Sequence, residues 1–447
     1  MARAAPEALS PLDSAVRKAY RRLIPVLFFS YVVAYVDRTN ISIAALTMVR
    51  EIPGFNNDII GTAAGIFFWG YLLLEIPGTL LVERWSARKW IARIMITWGI
   101  IAACQAAIHT SYQLYFVRFM LGLAEAGFYP GVIVYLTHWF PGRHRGRALA
   151  YFLVATPMAQ IISPKISNWL LKMGTTEIVD GVAIHHATAF GLKGWQWVFV
   201  GWGIPAVVMG AVVLLFLTDR PGQARWLTPA EREALETELA RELAARRGAR
   251  KVPVLEALRH PKVVLLALAY LLAVTANYGI EVFFPTILRD WYRLRSDTIT
   301  TLMVLPPIMA LLGQLAMGWS SDRTQERRFH AVVPLVVGAL ALAIAPFTHG
   351  HLALTVLVFA FVAFGVKAYL PAFWTLPNLF LTEAAAAGSI GLINSLGNLG
   401  GYIGPKVLGR VQTATGSFNG GIFFLAVSMT ASSLVVLYLG LGRRGAA

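Results

Sequence analysis

Apolar residues gather in long stretches separated by short polar breaks: 23–46, 59–82, 90–109, 112–135, 147–171, 196–217, 262–286, 298–319, 331–348, 352–374, 386–408 and 420–441. Each is near the ~20 residues that carry a helix across a bilayer. The runs are too long for strands and do not alternate with period two. Pro77, Pro157, Pro306-Pro307 and Gly397-Asn398-Leu399-Gly400-Gly401 fall inside runs. Packed helices tolerate such residues because neighbours satisfy the freed backbone groups. The pattern predicts an all-α membrane protein of twelve transmembrane helices, embedded in the lipid bilayer.

The breaks set orientation and domains. Most of the 39 Lys and Arg lie before the first run or in alternate breaks, which places those breaks and both termini in the cytoplasm. Residues 1–22 form a cytoplasmic tail with no cleavage site. The break at 218–261 separates a six-helix bundle at 23–217 from a second at 262–447. Within it, Thr228-Pro229-Ala230-Glu231 is a capping box with proline at the first helical position. A charged run to Arg247 follows, so the linker is expected to carry an amphipathic helix.

The two bundles repeat one another. Glu83-Arg84 with Arg88-Lys89 matches Asp322-Arg323 with Arg327-Arg328 at an offset of 239. Ser163-Pro164-Lys165 matches Gly404-Pro405-Lys406, and Phe128-Tyr129-Pro130 matches Tyr369-Leu370-Pro371, at 241. A 6+6 pseudo-repeat predicts a transporter with its site between the halves.

Composition narrows the chemistry. Charged residues make up 14% of the chain, against roughly 25% in soluble domains. The net charge of +16 would suggest nucleic acid in a soluble protein, but here it marks the cytoplasmic face, so no nucleic-acid partner is expected. Cys104 is the single cysteine, and the histidines lack acidic or thiol companions, so no metal is expected. There is no phosphate loop and no catalytic constellation. The chain is read as no enzyme, without cofactor, working as a monomer.

Charges inside the runs are costly at membrane depth and need a partner, water or a function. They are Asp37, Arg38, Glu75, Arg118, Glu125, Lys165, Glu281, Lys367 and Lys406. Asp37 lies about 21 Å along its helix, at a rise of 1.5 Å per residue. Asp37 and Arg38 point about 100° apart, whereas Arg118 and Glu125 are two turns apart on one face. An anion that neutralises an arginine favours protonation of a neighbouring acid, a route to coupled uptake. The plainer reading is a static ion-pair network. Under the offsets Asp37, Arg38 and Glu125 become Ala276, Asn277 and Val366, so the charged set is confined to the first half. Asn277, Tyr278, Trp374 and Asn394 are candidate neutral contacts from the second half.

Gly318-Trp-Ser-Ser-Asp322-Arg323-Thr-Gln-Glu-Arg327-Arg328 resembles the gating-loop signature of the major facilitator superfamily, and Glu83-Arg84-Trp-Ser-Ala-Arg88-Lys89 is a degenerate copy. Tyr35-Val-Asp37-Arg38-Thr-Asn40-Ile, Gly70-Tyr71-Leu-Leu-Leu-Glu75-Ile-Pro77, Arg88-Lys-Trp-Ile-Ala-Arg93-Ile-Met-Ile-Thr-Trp-Gly99, Gly122-Leu-Ala-Glu125-Ala-Gly-Phe-Tyr-Pro130-Gly and Gly194-Trp-Gln-Trp197 resemble its anion:cation symporter family. The resemblance implies a multi-pass inner-membrane symporter that imports a small organic carboxylate: a sugar acid, a tartrate-like hydroxy acid or an aromatic acid. It implies that the coupling ion is the proton, carried by Asp37 and Glu125. Arg38 and Arg118 would bind the substrate carboxylate, and Tyr71, Trp374 and Asn394 would line its site. Lys165, Lys406, Glu281 and Lys367 depart from the family pattern. The paired lysines are expected to form an outer funnel for a doubly charged anion. An exchanger or uniporter of organic anions is the alternative; a drug or cation exporter fits mid-depth arginines poorly.

Overall fold

The computed structural model describes residues 10–174, 176–179, 182–185, 190–246, 260–381 and 383–441, without the side chains of 76, 79–84, 176–179, 182–185, 245–246, 378 and 383–388. Helix α1 (Pro11–Glu51) starts inside the segment read as a tail, with the Ser10 hydroxyl accepting from the Asp13 N–H and proline at the first helical position. Next come α2 (Asn57–Arg84), α3 (Ala87–Cys104), α4 (Ser111–Glu125), α5 (Phe128–Trp139), α6 (Gly142–Leu153), α7 (Ala155–Lys172) and α8 (Gly194–Phe216). The second half holds α10 (Pro261–Tyr292), α11 (Ser296–Leu302), α12 (Leu305–Thr324), α13 (Arg328–Ile344), α14 (Leu352–Ala368), α15 (Leu370–Phe373), α16 (Glu383–Asn398), α17 (Gly400–Thr415) and α18 (Asn419–Leu439). Between them, linker helix α9 (Pro229–Arg246) opens on the expected capping box: Thr228 N–H donates to Glu231 Oε2 at 2.8 Å and Glu231 N–H to Thr228 Oγ1 at 3.3 Å.

Among the described residues eleven helical stretches are long and apolar enough to cross a membrane. The run expected at 386–408 is not among the eleven; it is covered by two 16-residue helices, α16 and α17, that meet at Leu399. The connection after α7 adds a two-stranded hairpin, β1 (Thr176–Val179) with β2 (Val182–His185), paired Thr176 to His185. Leu215, Phe347, Val427 and Tyr438 are exposed; such an apolar surface would be an aggregation liability in water but suits lipid.

The breaks recur across the repeat. The α4–α5 junction at Gly127, where φ is +86°, corresponds to the α14–α15 junction at Tyr369. In each half a loop arginine reaches the end of the last helix, Arg88 in the first and, one position past its repeat equivalent Arg327, Arg328 in the second. Arg88 Nη1 donates to the carbonyls of Leu214 (3.4 Å) and Leu217 (3.3 Å) at the end of α8, and Arg328 Nη2 to that of Leu437 at the end of α18. Each cation satisfies orphan carbonyls at the negative end of its half's last helix.

Close helix approach holds the first half together. A Cβ on Gly122 of α4 would stand 2.0 Å from the Phe67 carbonyl of α2, and one on Gly70 of α2 would stand 2.2 Å from the Phe119 carbonyl of α4. Only glycine permits that contact, as small residues do between membrane helices.

Ion pairs fasten the halves at the end opposite the linker. Lys406 Nζ of α17 bonds Asp58 Oδ1 (2.8 Å) and Thr62 Oγ1 (2.7 Å) of α2. Lys172 of α7 pairs with Asp297 of α11, Asn168 Nδ2 donates to the same carboxylate at 2.7 Å, and Arg289 Nη1 donates to the Leu46 carbonyl at 2.9 Å. At the linker end Arg327 pairs with Asp322 within the second half (2.6 Å), and Lys18 and Arg145 of the first half pair with Glu231 (2.7 Å) and Glu242 (3.3 Å) of linker helix α9.

Candidate functional site

Asp37 and Arg38 take different neighbours, as their angular separation requires. Asp37 is fully buried; Trp98 Nε1 of α3 donates to its Oδ2, and Asn40 Nδ2 donates to Oδ1 at 2.6 Å. A buried indole N–H needs an acceptor, and Asp37 supplies it. Arg38 turns to α4, its Nε donating to Glu125 Oε1 at 2.5 Å. The Arg38 guanidinium lies 5.1 Å from the Tyr71 ring and 5.7 Å from the Phe67 ring. Arg118 is 1% exposed, donates from Nε to the Ala63 carbonyl at 3.2 Å and lies 5.4 Å from the Phe67 ring. Arg118 Nη1 and Glu125 Oε2 are buried without a hydrogen-bond partner among the described residues. One donor and one acceptor thus stay open at mid-depth, in a place where an unmade bond is costly.

From the second half, Asn394 Nδ2 and Ser395 Oγ of α16 donate to the two oxygens of Glu75 on α2 at 2.9 and 2.8 Å. Asn394 is therefore held by a carboxylate of the opposite half. Trp374 packs edge-on against Tyr270 with centroids 4.9 Å apart.

A cavity of about 100 Å³ lies between the halves, lined from α1 by Thr39 and Asn40, from α7 by Gln160, from α10 by Asn277 and Glu281, and from α14 by Lys367. Of the expected substrate-binding residues Asn277 lines it, whereas Arg38, Arg118, Tyr71, Trp374, Asn394, Lys165 and Lys406 do not. Lys165 and Lys406, expected as an outer funnel, are instead engaged across the seam. Lys165 Nζ donates to Thr301 Oγ1, and Lys406 bonds Asp58 and Thr62. Their ammonium groups find acceptors in the opposite half and fasten it. The sequence reading missed Gln160, Tyr35, Trp98 and Asp58. Trp98 and Tyr35 lie in the strings that carry the resemblance, and Asp58 is the acid in the first turn of α2.

The gating-loop residues divide. Asp322 pairs with Arg327, whose Nη1 also donates to Ser321 Oγ at 2.9 Å, while Arg323 lies 5.4 Å from the Trp319 ring. Arg88 meets Asp219 beyond α8, its N–H donating to Oδ1 at 3.0 Å. The side chains of Glu83 and Arg84 lie outside the described residues.

Two helical halves enclose a central cavity, and the relatives of the chain make it a transporter, not an enzyme. Comparison with known proteins extends this: the pattern described as Major Facilitator Superfamily matches residues 27–405. The chain belongs to the Major Facilitator Superfamily and is a multi-pass inner-membrane protein, in keeping with an anion:cation symporter-type permease. It is 39% identical over 432 residues to a "Putative tartrate transporter" of Agrobacterium vitis, covering 96% of each chain. It is 37% identical over 424 residues to a quinolone resistance transporter of Acinetobacter baumannii, covering 95% of this chain and 94% of that one. Its fold resembles the inward-facing, unoccupied structure of a bacterial homologue of the human lysosomal transporter Spinster, with a TM-score of 0.70, 17% identity and coverage of 97% and 96%.

Proposed function

We propose that the protein imports a small organic carboxylate with protons, by alternating access between its two halves. The observation that carries this reading is the buried set in which Arg38 holds one oxygen of Glu125 while Glu125 Oε2 and Arg118 Nη1 stay unpartnered. An arriving carboxylate offers the arginines a second acceptor, which loosens Arg38 from Glu125 and favours a proton on that acid. Asp37, held by Trp98 and Asn40, is the second proton carrier. Neither acid is needed for plain anion exchange, which arginines alone can support.

The linker end is the cytoplasmic side, because the basic breaks gather there. On this reading the seam closed by Lys406–Asp58 and Lys172–Asp297 faces outward. The relatives named for tartrate support a hydroxy acid as cargo. The relative named for quinolone resistance gives a second reading, efflux of a carboxylate-bearing drug.

Uptake into proteoliposomes decides among them. The panel is tartrate, a sugar acid, an aromatic acid and a quinolone, each with and without an inward proton gradient. Gradient-driven accumulation of one of the acids is expected. Counterflow that ignores the gradient would make the protein an exchanger, and movement of the quinolone alone would favour the drug reading.

A further inference from the structure

Asp37 is fully buried and does not line the cavity, whereas Asn40, a turn along α1 and 1% exposed, does. The Asn40 amide stands between the two. Its Nδ2 donates to Asp37 Oδ1 at 2.6 Å, and its own Oδ1 is buried without a hydrogen-bond partner among the described residues. An idle buried carbonyl is costly, and a second state that used it would recover that cost. The other oxygen of Asp37 is fixed by Trp98, whose indole donates and cannot accept. Arg118 and Glu125 of α4 are the charges within electrostatic reach of Asp37, and no hydrogen bond joins either to it among the described residues. Helix α8, which also packs on α1, carries no charged residue.

A proton that reaches Asp37 from water cannot settle on Oδ2 without facing the Trp98 N–H. It settles on Oδ1, where it meets the Asn40 N–H, and two donors then point at each other. Turning the Asn40 amide over about its terminal torsion removes the conflict: the bond from Asn40 Nδ2 to Asp37 breaks, and one from the Asp37 O–H to the Asn40 carbonyl forms. We propose that Asn40 is the switch through which the proton on Asp37 is felt in the cavity. Beside the carboxylate it turns its carbonyl away from Asp37, toward the cavity; beside the protonated acid it turns its amide N–H groups there and offers an anion a donor. Neighbouring donors on the cavity wall are already committed. Gln160 Nε2 is spent on Tyr35 Oη (2.9 Å) and Glu281 Oε1 (2.8 Å), Tyr35 Oη on the same Glu281 oxygen (2.8 Å), and Asn277 Nδ2 on Glu281 Oε2 (3.3 Å). The switch rests on the reading of Asp37 as a proton carrier and makes Asn40 the residue that positions a donor in response to it.

The test uses purified full-length protein carrying asparagine labelled at its side-chain carbonyl, and reads the infrared difference between acidic and alkaline buffer. Wild type should gain a carboxylic-acid band and, over the same pH range, shift an amide carbonyl band that moves with the label. Asp37→Ala should lose both changes. Asn40→Leu, which fills the same space without hydrogen bonds, should keep the acid band and lose the amide shift; Asn40→Ser is the second variant, and melting temperatures confirm that each is folded. In a binding arm, tartrate affinity of wild type should rise toward acid by up to about tenfold per pH unit, the limit for one proton taken up with the anion. Asn40→Leu should lose most of that dependence. An amide band that stays put while the acid band appears, or a pH dependence kept in folded Asn40→Leu, overturns the switch and leaves Asp37 a proton carrier. Absence of any acid band that Asp37→Ala removes overturns both. Tartrate that binds wild type at no pH removes it as cargo, and the infrared arm alone then decides the switch.

Discussion

Arg38 and Glu125 form a buried ion pair, Nε to Oε1 at 2.5 Å, that joins α1 to α4 and leaves Glu125 Oε2 open. The Glu125 side chain is 1% exposed, so removing one partner strands a charge, which costs about 3–5 kcal/mol. Arg38→Ala should lower the melting temperature and abolish substrate binding. Arg38→Ala with Glu125→Gln should recover the stability and not the binding. Recovery of both would make the pair a static tie. Thermal melts and binding on the same preparations read the two quantities separately.

Asp37→Asn preserves an acceptor for the Trp98 indole but cannot take a proton. Counterflow exchange should persist while accumulation driven by a proton gradient disappears. A variant that still concentrates substrate under the gradient would remove Asp37 from the coupling role.

Lys406 and Asp58 fasten the halves at the end away from the linker, with side chains 25% and 32% exposed. A partly solvated pair contributes about 0.2–1 kcal/mol. Lys406→Gln should therefore shift the balance toward the state open at that end by up to about fivefold, since 1.4 kcal/mol is a factor of ten. Labelling of a cysteine introduced at Asn57, which is buried at that seam against Gln412, with Cys104 replaced, reports the opening; an unchanged labelling rate would assign the closed seam to packing alone.

Gly122→Val puts a branched side chain where a Cβ would already stand 2.0 Å from the Phe67 carbonyl. Overpacking costs about 1–3 kcal/mol or more, so the melting temperature should fall by several degrees. Gly146→Ala, where nothing lies within 4 Å, should leave it unchanged or raise it, since alanine is favoured in a helix. Equal effects at both sites would contradict the close α2–α4 crossing.

Glu231 anchors the linker helix to α1. Burial raises its pKa, but hydrogen bonds from Lys18, Ser14 and the Thr228 N–H outweigh it and hold the carboxyl at about 2, below its ordinary 4.5. A depressed pKa means the stabilisation is fully present above pH 4.5 and lost as pH falls through about 2. Glu231→Gln should speed proteolysis of the linker at neutral pH, with the difference from wild type shrinking between pH 4.5 and 2. A difference that grew on acidification would reverse the sign.

The fold class was legible in the sequence because a bilayer imposes length and hydropathy on every spanning helix, and the repeat revealed itself through loop residues such as Arg88 and Arg327. The capping box at Thr228–Glu231 was legible for a local reason, since four adjacent residues make their own hydrogen bonds. The first-half charges could be named because each is conspicuous alone at that depth. Their partners could not. That Asp37 meets Trp98, that Arg38 takes Glu125, and that Lys406 closes a seam with Asp58 all depend on which helix faces come together. The same holds for Glu281 and Lys367: the sequence marks both as anomalies, 86 residues apart, and packing of α10 against α14 and α7 makes them two walls of one cavity. Local hydrogen bonds and hydropathy are written along the chain, whereas pairings between distant helices exist only once the halves have packed.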